Sequence, residues 1–421
     1  MYGENIDVSR QGAQKRKPAA EDKVMGAFFI YNGAYAGKCY WAEKRSRVTG
    51  VFSYDEGYLA KSDNWNIDPA LSLAAGAQTA HDGLPGAFRD AAPDRWGQNL
   101  MNYRHQREAK AEGRKPRVLN EVDYLLGAND LIRQGGLRFS LEKGGDFLHP
   151  SGETPKLSEL PKLLDAARRY TEECDEKAIA CLLDAGSASL GGARPKAAVS
   201  DTKDQYIAKF PHSQDGWDVI AWEWVSLSIA GDAGINVPEL CLIPVDGQKV
   251  LLLKRFDREP GKRIGYISAM TLLGLSDGEQ ADYSEIAENL RGVSASAKED
   301  LHELFRRIVF SVLINNTDDH LRNHGFLRSG SGWRLSPVFD VNPNPDPAAV
   351  RSTRVFSETE KQASLAALTA NADAFDLSEG SASQIINSIK ASMKSLEEYA
   401  SLAGIPKTEQ RFMLRALGLA I

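Results

Sequence analysis

The stretch Asn316–Asn323, NTDDHLRN, followed by Asp340 at the end of SPVFD, constrains this chain more than any other. It offers a carboxylate, Asp318, an amide five positions on at Asn323, and a second carboxylate closing the next β-like run, GFLRSGSGWRLSPVFD. A fold that uses them together must bring a turn and a strand end to one cleft. Phosphoryl transfer from a magnesium nucleotide needs this set of side chains: one Asp orients and deprotonates the attacking hydroxyl, while an Asn and a second Asp hold metal ions on the phosphates. Mg²⁺ takes hard oxygen ligands, commonly one or two carboxylates with phosphates and waters, which suits Asn and Asp and disfavours His or Cys. The expectation is a protein-kinase-like phosphotransferase.

The length, 421 residues, exceeds what one hydrophobic core serves, so two or three packed units are expected. A net charge of −6 argues against autonomous binding to nucleic acid, which normally needs a basic face. Cys39, Cys174, Cys181 and Cys241 are scattered without a CxxC pair, which indicates neither a disulfide scaffold nor a zinc cage. The N-terminus, MYGENIDVSRQGAQKRKPAAEDK, is polar and lacks the apolar stretch of a signal peptide. No window approaches the roughly 20 apolar residues of a membrane helix. A soluble, cytoplasmic protein is expected.

The fold class expected is α+β: a kinase-like bilobal body with an extra N-terminal α/β subdomain and a mostly helical C-terminal lobe. Its divisions are a flexible tail over 1–23, the N-terminal subdomain over 24–145, a nucleotide-binding lobe over 146–258 and a helical catalytic lobe over 259–421. Short aromatic runs between 24 and 51 read as strands with tight turns, and GLPGAFRDAAPDRWGQNLM (83–101) as turns leading into a helix that runs to about Arg107. Leucines at 157, 160, 163 and 164 have helical spacing, predicting one helix over 157–180. From Ser187 the order becomes Gly-rich turn, strand (197–200), strand (205–210), helix (217–230) and strand (249–254). Two amphipathic helices are expected over 383–421.

Ser189-Leu-Gly-Gly-Ala-Arg-Pro-Lys196 is the candidate glycine loop: Gly191 and Gly192 let backbone N–H groups turn toward a phosphate, although the same pair marks many plain hairpin turns. Lys209, near the end of QYIAKFP, can neutralise nucleotide phosphates or be a solvated edge lysine. Glu223 in the next helix is its candidate partner, or part of that helix's polar stripe. Lys254 and Phe256 end an apolar strand, VLLLKRF, where backbone groups can bracket an adenine ring. Asp318 and Asp340 compete with a capping or turn role. The five-residue step to Asn323 selects Asp318 over its neighbour Asp319. His320 and His324 have the spacing of paired zinc ligands, but Asn323 and Gly325 disfavour a helix there and no glutamate sits between them. His320 is expected to hold the turn by hydrogen bonds.

In this order the motifs resemble the HipA family of bacterial serine/threonine-protein kinase toxins. The resemblance rests on SLGGARPK (189–196), YIAKFP (206–211), LLKRFDR (252–258), NTDDHLRN (316–323) and LSPVFD (335–340), with APDRWG (92–97) and DYLLGANDLIRQGGLRFS (123–140). It implies ATP and Mg²⁺ as cofactors, with Asp318 as the base and Asn323 and Asp340 as metal ligands. Lys209 corresponds to the phosphate-binding lysine, and Lys254 to Phe256 fall at the adenine-contacting hinge. Ser189, Gly191, Gly192, Ala193 and Lys196 form the nucleotide loop, and Ser189 falls where members autophosphorylate. Lys254 replaces a glutamate of the best-known type of member, and YISAMTLLG (266–274) differs from its acidic segment, so the protein substrate is not carried over. The family further implies a toxin–antitoxin pair: a kinase that phosphorylates a translation protein such as an aminoacyl-tRNA synthetase, and a small helix-turn-helix antitoxin. Operator DNA is reached only through the antitoxin, and a homodimer can form within that complex. Two alternatives stand beside this: a catalytically weak kinase-like corepressor that binds the antitoxin, and a small-molecule kinase.

Overall fold

A row of buried aromatic side chains sets the position of the first structural unit. The computed structural model describes residues 24–44, 47–80, 83–148 and 153–419; the tail expected over 1–23 lies outside them. The first sheet comprises β1 (Val24–Tyr31), β2 (Tyr35–Lys44), β3 (Arg47–Tyr54), β4 (Gln78–Thr79) and β5 (Arg138–Ser140), in the antiparallel order β4-β3-β2-β1-β5. Pairing Phe28 with Cys39 and Cys39 with Phe52 places these three in one row, and strand alternation turns them all to the buried face. Phe88, from the short helix Gly86–Asp90, meets Phe28 edge-on at 5.9 Å and Phe139 at 5.6 Å. Edge-to-face geometry suits the ring quadrupoles and fixes this helix on the sheet. The turn that follows it is thereby aimed at the second unit.

The second sheet has β6 (Lys196–Ser200), β7 (Gln205–Lys209), β8 (Leu240–Val245) and β9 (Gln248–Lys254) in the order β6-β7-β9-β8. The helix Val219–Asp232 between β7 and β8 is buried at almost every position from Val219 to Leu227. An all-round apolar helix must be enclosed. It packs on β9 and on the C-terminal helices Glu379–Ser392 and Leu396–Leu402. Beyond β9 come the small hairpin of β10 (Arg258–Glu259) and β11 (Lys262–Arg263), then the sheet β12 (Tyr266–Ser268), β13 (Gly325–Ser329) and β14 (Gly332–Leu335). The long helix Ala297–Leu313 runs through the core of this last part.

Buried ions join the first unit to the segment after β9. Asp257 accepts from Arg255 Nε at 2.9 Å, from Arg258 at 2.8 Å and from the Gly135 N–H at 2.7 Å. Arg255 also donates to the Ile132 carbonyl at 2.7 Å. Desolvation would raise the Asp257 carboxyl, yet the two guanidinium groups hold it well below the usual carboxylate range. Asp130 takes the same part for Arg138 and Arg263.

Three expectations are corrected. The single helix over 157–180 is two helices, Leu160–Glu173 and Glu176–Asp184, because Cys174 takes a left-handed φ of 52° and Asp175 caps the second by accepting the Ala178 N–H. The two C-terminal helices are three, Glu379–Ser392, Leu396–Leu402 and Lys407–Ala416, with a break around Gly404 and Pro406. β8 was not expected; its Pro244 is tolerated because the strand lies at the sheet edge.

Gly97, in the first turn of the helix Arg95–Ala111, presses on the 3-10 turn Ser187–Ser189: a Cβ there would collide with the Ala188 carbonyl and lie 2.7 Å from Pro93 Cβ. Gly97→Ala should therefore destabilise the protein by about 2 kcal/mol, as overpacking does. Urea unfolding checks this, and an unchanged midpoint would show that the two segments do not pack this tightly.

Candidate functional site

The two lysines of the second sheet that face the cleft from β6 and β7 come from one antiparallel pairing. Lys196 opens β6 and Lys209 closes β7, and their Cα atoms are direct partners. Like charges opposite each other are destabilising unless anions separate them. Two carboxylates do so here. Lys209 Nζ donates to Glu223 Oε1 at 2.6 Å and also to the Asp340 carboxylate. Glu223 reaches in from the helix Val219–Asp232, and Asp340 from the segment after β14. Asp340 adopts a left-handed φ of 55°, which bends the chain and turns its carboxylate back toward β7.

The cluster is strongly polarised. Burial would lower the Lys209 ammonium, but Asp340 and Glu223 outweigh it and raise its pKa. Burial alone would raise Asp340, and the Lys209 and Lys196 charges hold it well below the carboxylate range. Burial dominates at Glu223, whose pKa rises, and at Lys196, whose pKa falls. Lys196 Nζ donates to the Gly191 carbonyl at 2.5 Å, tying the glycine loop down.

All of these groups except Glu223 line a cleft of about 400 Å³. Gly191, Gly192, Lys196, Lys209, Phe256, Asn323 and Asp340 all reach it, as does Lys254. Phe256 faces Tyr266 and Phe339, giving the hinge end an aromatic wall. The Lys254 ammonium turns outward to Glu239 at 2.9 Å and Asp204 at 3.1 Å.

Asp318 and Asp319 are adjacent but differ completely in surroundings. Asp319 is buried: it accepts from Ser311 Oγ at 2.7 Å and from the Tyr283 hydroxyl, and His324 Nε2 lies 3.1 Å away. Desolvation would raise its pKa, but His324, Tyr283 and Ser311 hold it well below the usual range. Asp318 is exposed. Partial desolvation raises its carboxyl, Asp340 adds to the rise, and His320 and Arg194 oppose it. Asp318 is not among the residues lining the cleft, but it lies in the same turn as Asn323, which is. Asn323 Nδ2 donates to the Asp318 carbonyl at 3.1 Å, which closes the turn and leaves its Oδ1 unengaged by that bond.

Several expected roles are moved by the geometry. Ser189 does not line the cleft; it is buried in the 3-10 turn, its Oγ accepts the Asn129 N–H at 2.7 Å, and it borders a separate cavity beside the helix Glu176–Asp184. Ala193 is exposed and outside the cleft lining, as is Asp318. The Gly192 N–H, expected to face a phosphate, donates to Asp94 at 3.0 Å. His320 holds the turn through its backbone, donating to the Asp318 carbonyl at 2.9 Å and accepting the Asn323 N–H at 2.8 Å, while the ring of His324 lies 3.1 Å from Asp319. No cluster of three or more His, Cys, Asp or Glu that could hold a metal ion occurs among the described residues. The donor set for a harder ion does fit: Asn323 and Asp340 offer amide and carboxylate oxygens to one cleft. Asp90, Asp94 and Arg322 also line the cleft. The segment APDRW, which leads into a helix, was a sequence signal for Asp94 alone.

A family model described as the HipA-like C-terminal domain matches residues 188–396. The chain is 31% identical over 186 residues to a candidate kinase of Sinorhizobium fredii, Y4dM, covering 39% of this chain and 44% of that protein. It is 28% identical over 148 residues to a candidate kinase of Haemophilus influenzae, covering 31% of this chain and 43% of that protein. The chain thus matches less than half the length of either relative. The solved complex of Shewanella oneidensis MR-1 HipA with HipB and operator DNA is similar in fold, with a TM-score of 0.61 at 16% identity, covering 93% of this chain and 95% of that chain. No helix among the described residues is long and apolar enough to cross a membrane.

Asp319→Asn should cost about 3 kcal/mol at neutral pH, because a buried ionic acceptor is removed from its partners. The folded-state pKa of Asp319 is depressed, so its stabilisation stands in full above the unfolded value near 4 and is lost as pH falls below it. The gap between wild type and variant should therefore narrow toward pH 3. Denaturant titrations at both pH values check this; a constant gap would refute the ionic role.

Proposed function

From the membership of residues 188–396 in the HipA family, we propose that this protein is an ATP-dependent serine/threonine protein kinase, the toxin of a toxin–antitoxin pair. One observation carries the reading. Lys196 and Lys209 stand opposite each other at one cleft with Asn323 and Asp340, a set that neutralises a polyphosphate and ligates its metal.

In this reading the nucleotide enters between the glycine loop and the hinge, with its base against Phe256. Lys209 is held by Glu223 and directed at the phosphates. Asn323 and Asp340 hold Mg²⁺, which when bound offsets charge on the phosphate oxygens. Asp318 orients the acceptor hydroxyl and takes its proton. Its exposure in the turn that carries Asn323 suits a base that must meet a group on another molecule, and its raised pKa moves it toward proton-accepting strength. Asp319 beneath it keeps the turn in place.

The acceptor proposed is a Ser or Thr of a translation protein, an aminoacyl-tRNA synthetase being the family's class of target. The partner is a small helix-turn-helix antitoxin, through which this acidic chain reaches operator DNA; the neighbouring HipA complex contains HipB and its operator. The setting is cytoplasmic.

Autophosphorylation at Ser189 is part of the proposal. With its Oγ buried under Asn129, the 3-10 turn must open before transfer. A phosphate adds roughly −1.5 to −2 charges, which the buried site does not accommodate, so the modified loop would stay out of the cleft and inactivate the enzyme.

Asp318→Ala should lower phosphotransfer about 10²- to 10⁴-fold while Mg-ATP still binds. Transfer of ³²P by the purified variant at the wild-type rate would refute the assignment. Incubation with Mg-ATP should add one phosphate to the intact mass and abolish further turnover, and Ser189→Ala should remain unmodified and active. An unchanged wild-type mass alongside transfer to another protein would refute self-inactivation.

A further inference from the structure

The turn Asp90–Asp94 of the first unit passes along the cleft and is pinned at both ends. At one end Asp90 is nearly inaccessible: its carboxylate accepts from the Ser268 N–H and Oγ, both at 2.7 Å, and from Thr271 Oγ1 at 2.6 Å. Ser268 closes β12, beside the strand that leaves the Asn316–Asn323 turn, and Arg322 lies 3.7 Å from Asp90. At the other end Asp94 caps the helix Arg95–Ala111 and accepts the Gly192 N–H at 3.0 Å. The Trp96 N–H donates in return to the Gly192 carbonyl at 3.1 Å. Between the two ends, the fully buried Arg133 donates to the Ala91 carbonyl at 2.9 Å, and Gln98 to that of Pro93 at 3.0 Å.

Gly192 is thus gripped by both of its backbone groups. Its φ of 86° and its closeness to Lys196 Nζ, which a Cβ would strike, make it the loop residue that settles over the charge cluster. Nothing in the second sheet takes its N–H; the first unit does.

We propose that the turn Asp90–Asp94 is a strap that holds the glycine loop at a fixed height over the nucleotide, with Asp94 as the positioning residue. This rests on the kinase reading for its ligand, but the grip on the loop does not. The strap ties the glycine loop to the element carrying Arg322 and Asn323, so the separation of the two walls of the cleft is set by the N-terminal unit. The loop amides that remain are aimed at the phosphates because Gly192 cannot turn.

Two substitutions in the full-length chain separate this from a merely structural role. Asp94→Ser keeps an N-cap, so the helix persists, but its side chain is too short to reach Gly192. Asp94→Asn keeps an acceptor oxygen at the same reach. Hydrogen–deuterium exchange of the segment 189–196 and the calorimetric Kd for Mg-ATP are the readouts. Asp94→Ser should speed exchange in that segment alone and weaken Mg-ATP about tenfold, the scale of one charge-assisted hydrogen bond. Asp94→Asn should stay within about threefold of wild type in both. Unchanged exchange in Asp94→Ser overturns the strap, as does an Asp94→Asn variant as impaired as Asp94→Ser. If exchange responds as expected but wild type binds no Mg-ATP, the grip is upheld and the kinase reading falls. If wild type binds Mg-ATP and Asp94→Ser binds it equally well, the kinase reading survives and the positioning role falls.

Discussion

Two ammonium groups placed face to face by strand pairing need anions, and most of the site follows from meeting that need. Lys196 and Lys209 cannot separate without breaking the β6–β7 register. Removing ions from water costs several kcal/mol each unless partners are close and well placed. Glu223 and Asp340 are those partners, and each arrives on a different element. The helix Val219–Asp232 must therefore present Glu223 toward the sheet, which it does while being enclosed on its remaining sides. The segment after β14 must end in a left-handed residue, and Asp340 is one of the residue types that tolerates this conformation best. Two lysines and two carboxylates thereby fix the relative placement of sheet, helix and turn.

A second buried ionic system does the corresponding work at the hinge. Asp257 is flanked in sequence by Phe256 and Arg258, and its bonds to Arg255 and the Gly135 N–H anchor the hinge backbone to the first unit. Phe256 faces the cleft between these two anchored neighbours, Arg255 and Asp257. The first unit consequently touches the site at the hinge through residues 130–135, at the glycine loop through Asp94 and Trp96, and beside Arg322 through Asp90. That is more than an appended domain would do, and it explains why the cleft is walled by residues from distant parts of the chain.

Where a short segment concentrates polar side chains, the sequence named residues that the fold brings to one cleft, Asn323 and Asp340 among them. Asp318, Asn323 and Asp340 could be singled out because an amide and two carboxylates at such spacing have few other uses, and the strands carrying Lys196 and Lys209 showed themselves by apolar runs. What stayed hidden depended on contacts made at long range. Nothing local shows that Asp319 and Tyr283 lie against the ring of His324. Ser189 looked like a loop residue because glycines follow it, yet Asn129, sixty positions earlier, buries its hydroxyl. Cys174 ended a helix without glycine or proline to announce it. Asp94 lay in a segment read only as turns leading into a helix; it caps that helix, and its second oxygen serves the glycine loop.

The contact between Lys209 and Asp340 also limits how a nucleotide can be accommodated. The cluster balances two cations against two anions, so polyphosphate entering alone would leave excess negative charge against Asp340 and Glu223 in a place where water is scarce. If the proposed reading holds, a divalent ion bound with the phosphates would restore the balance, and Asp340 would be the carboxylate to hold it. Asp340 is the better placed of the two: its side chain is 29% exposed, against 2% for Glu223. In that reading Asp340 would be the carboxylate to turn toward a metal, leaving Lys209 to the phosphates with Glu223 still holding it. The difference in burial between two chemically similar acids is thus enough to assign them different tasks around one lysine.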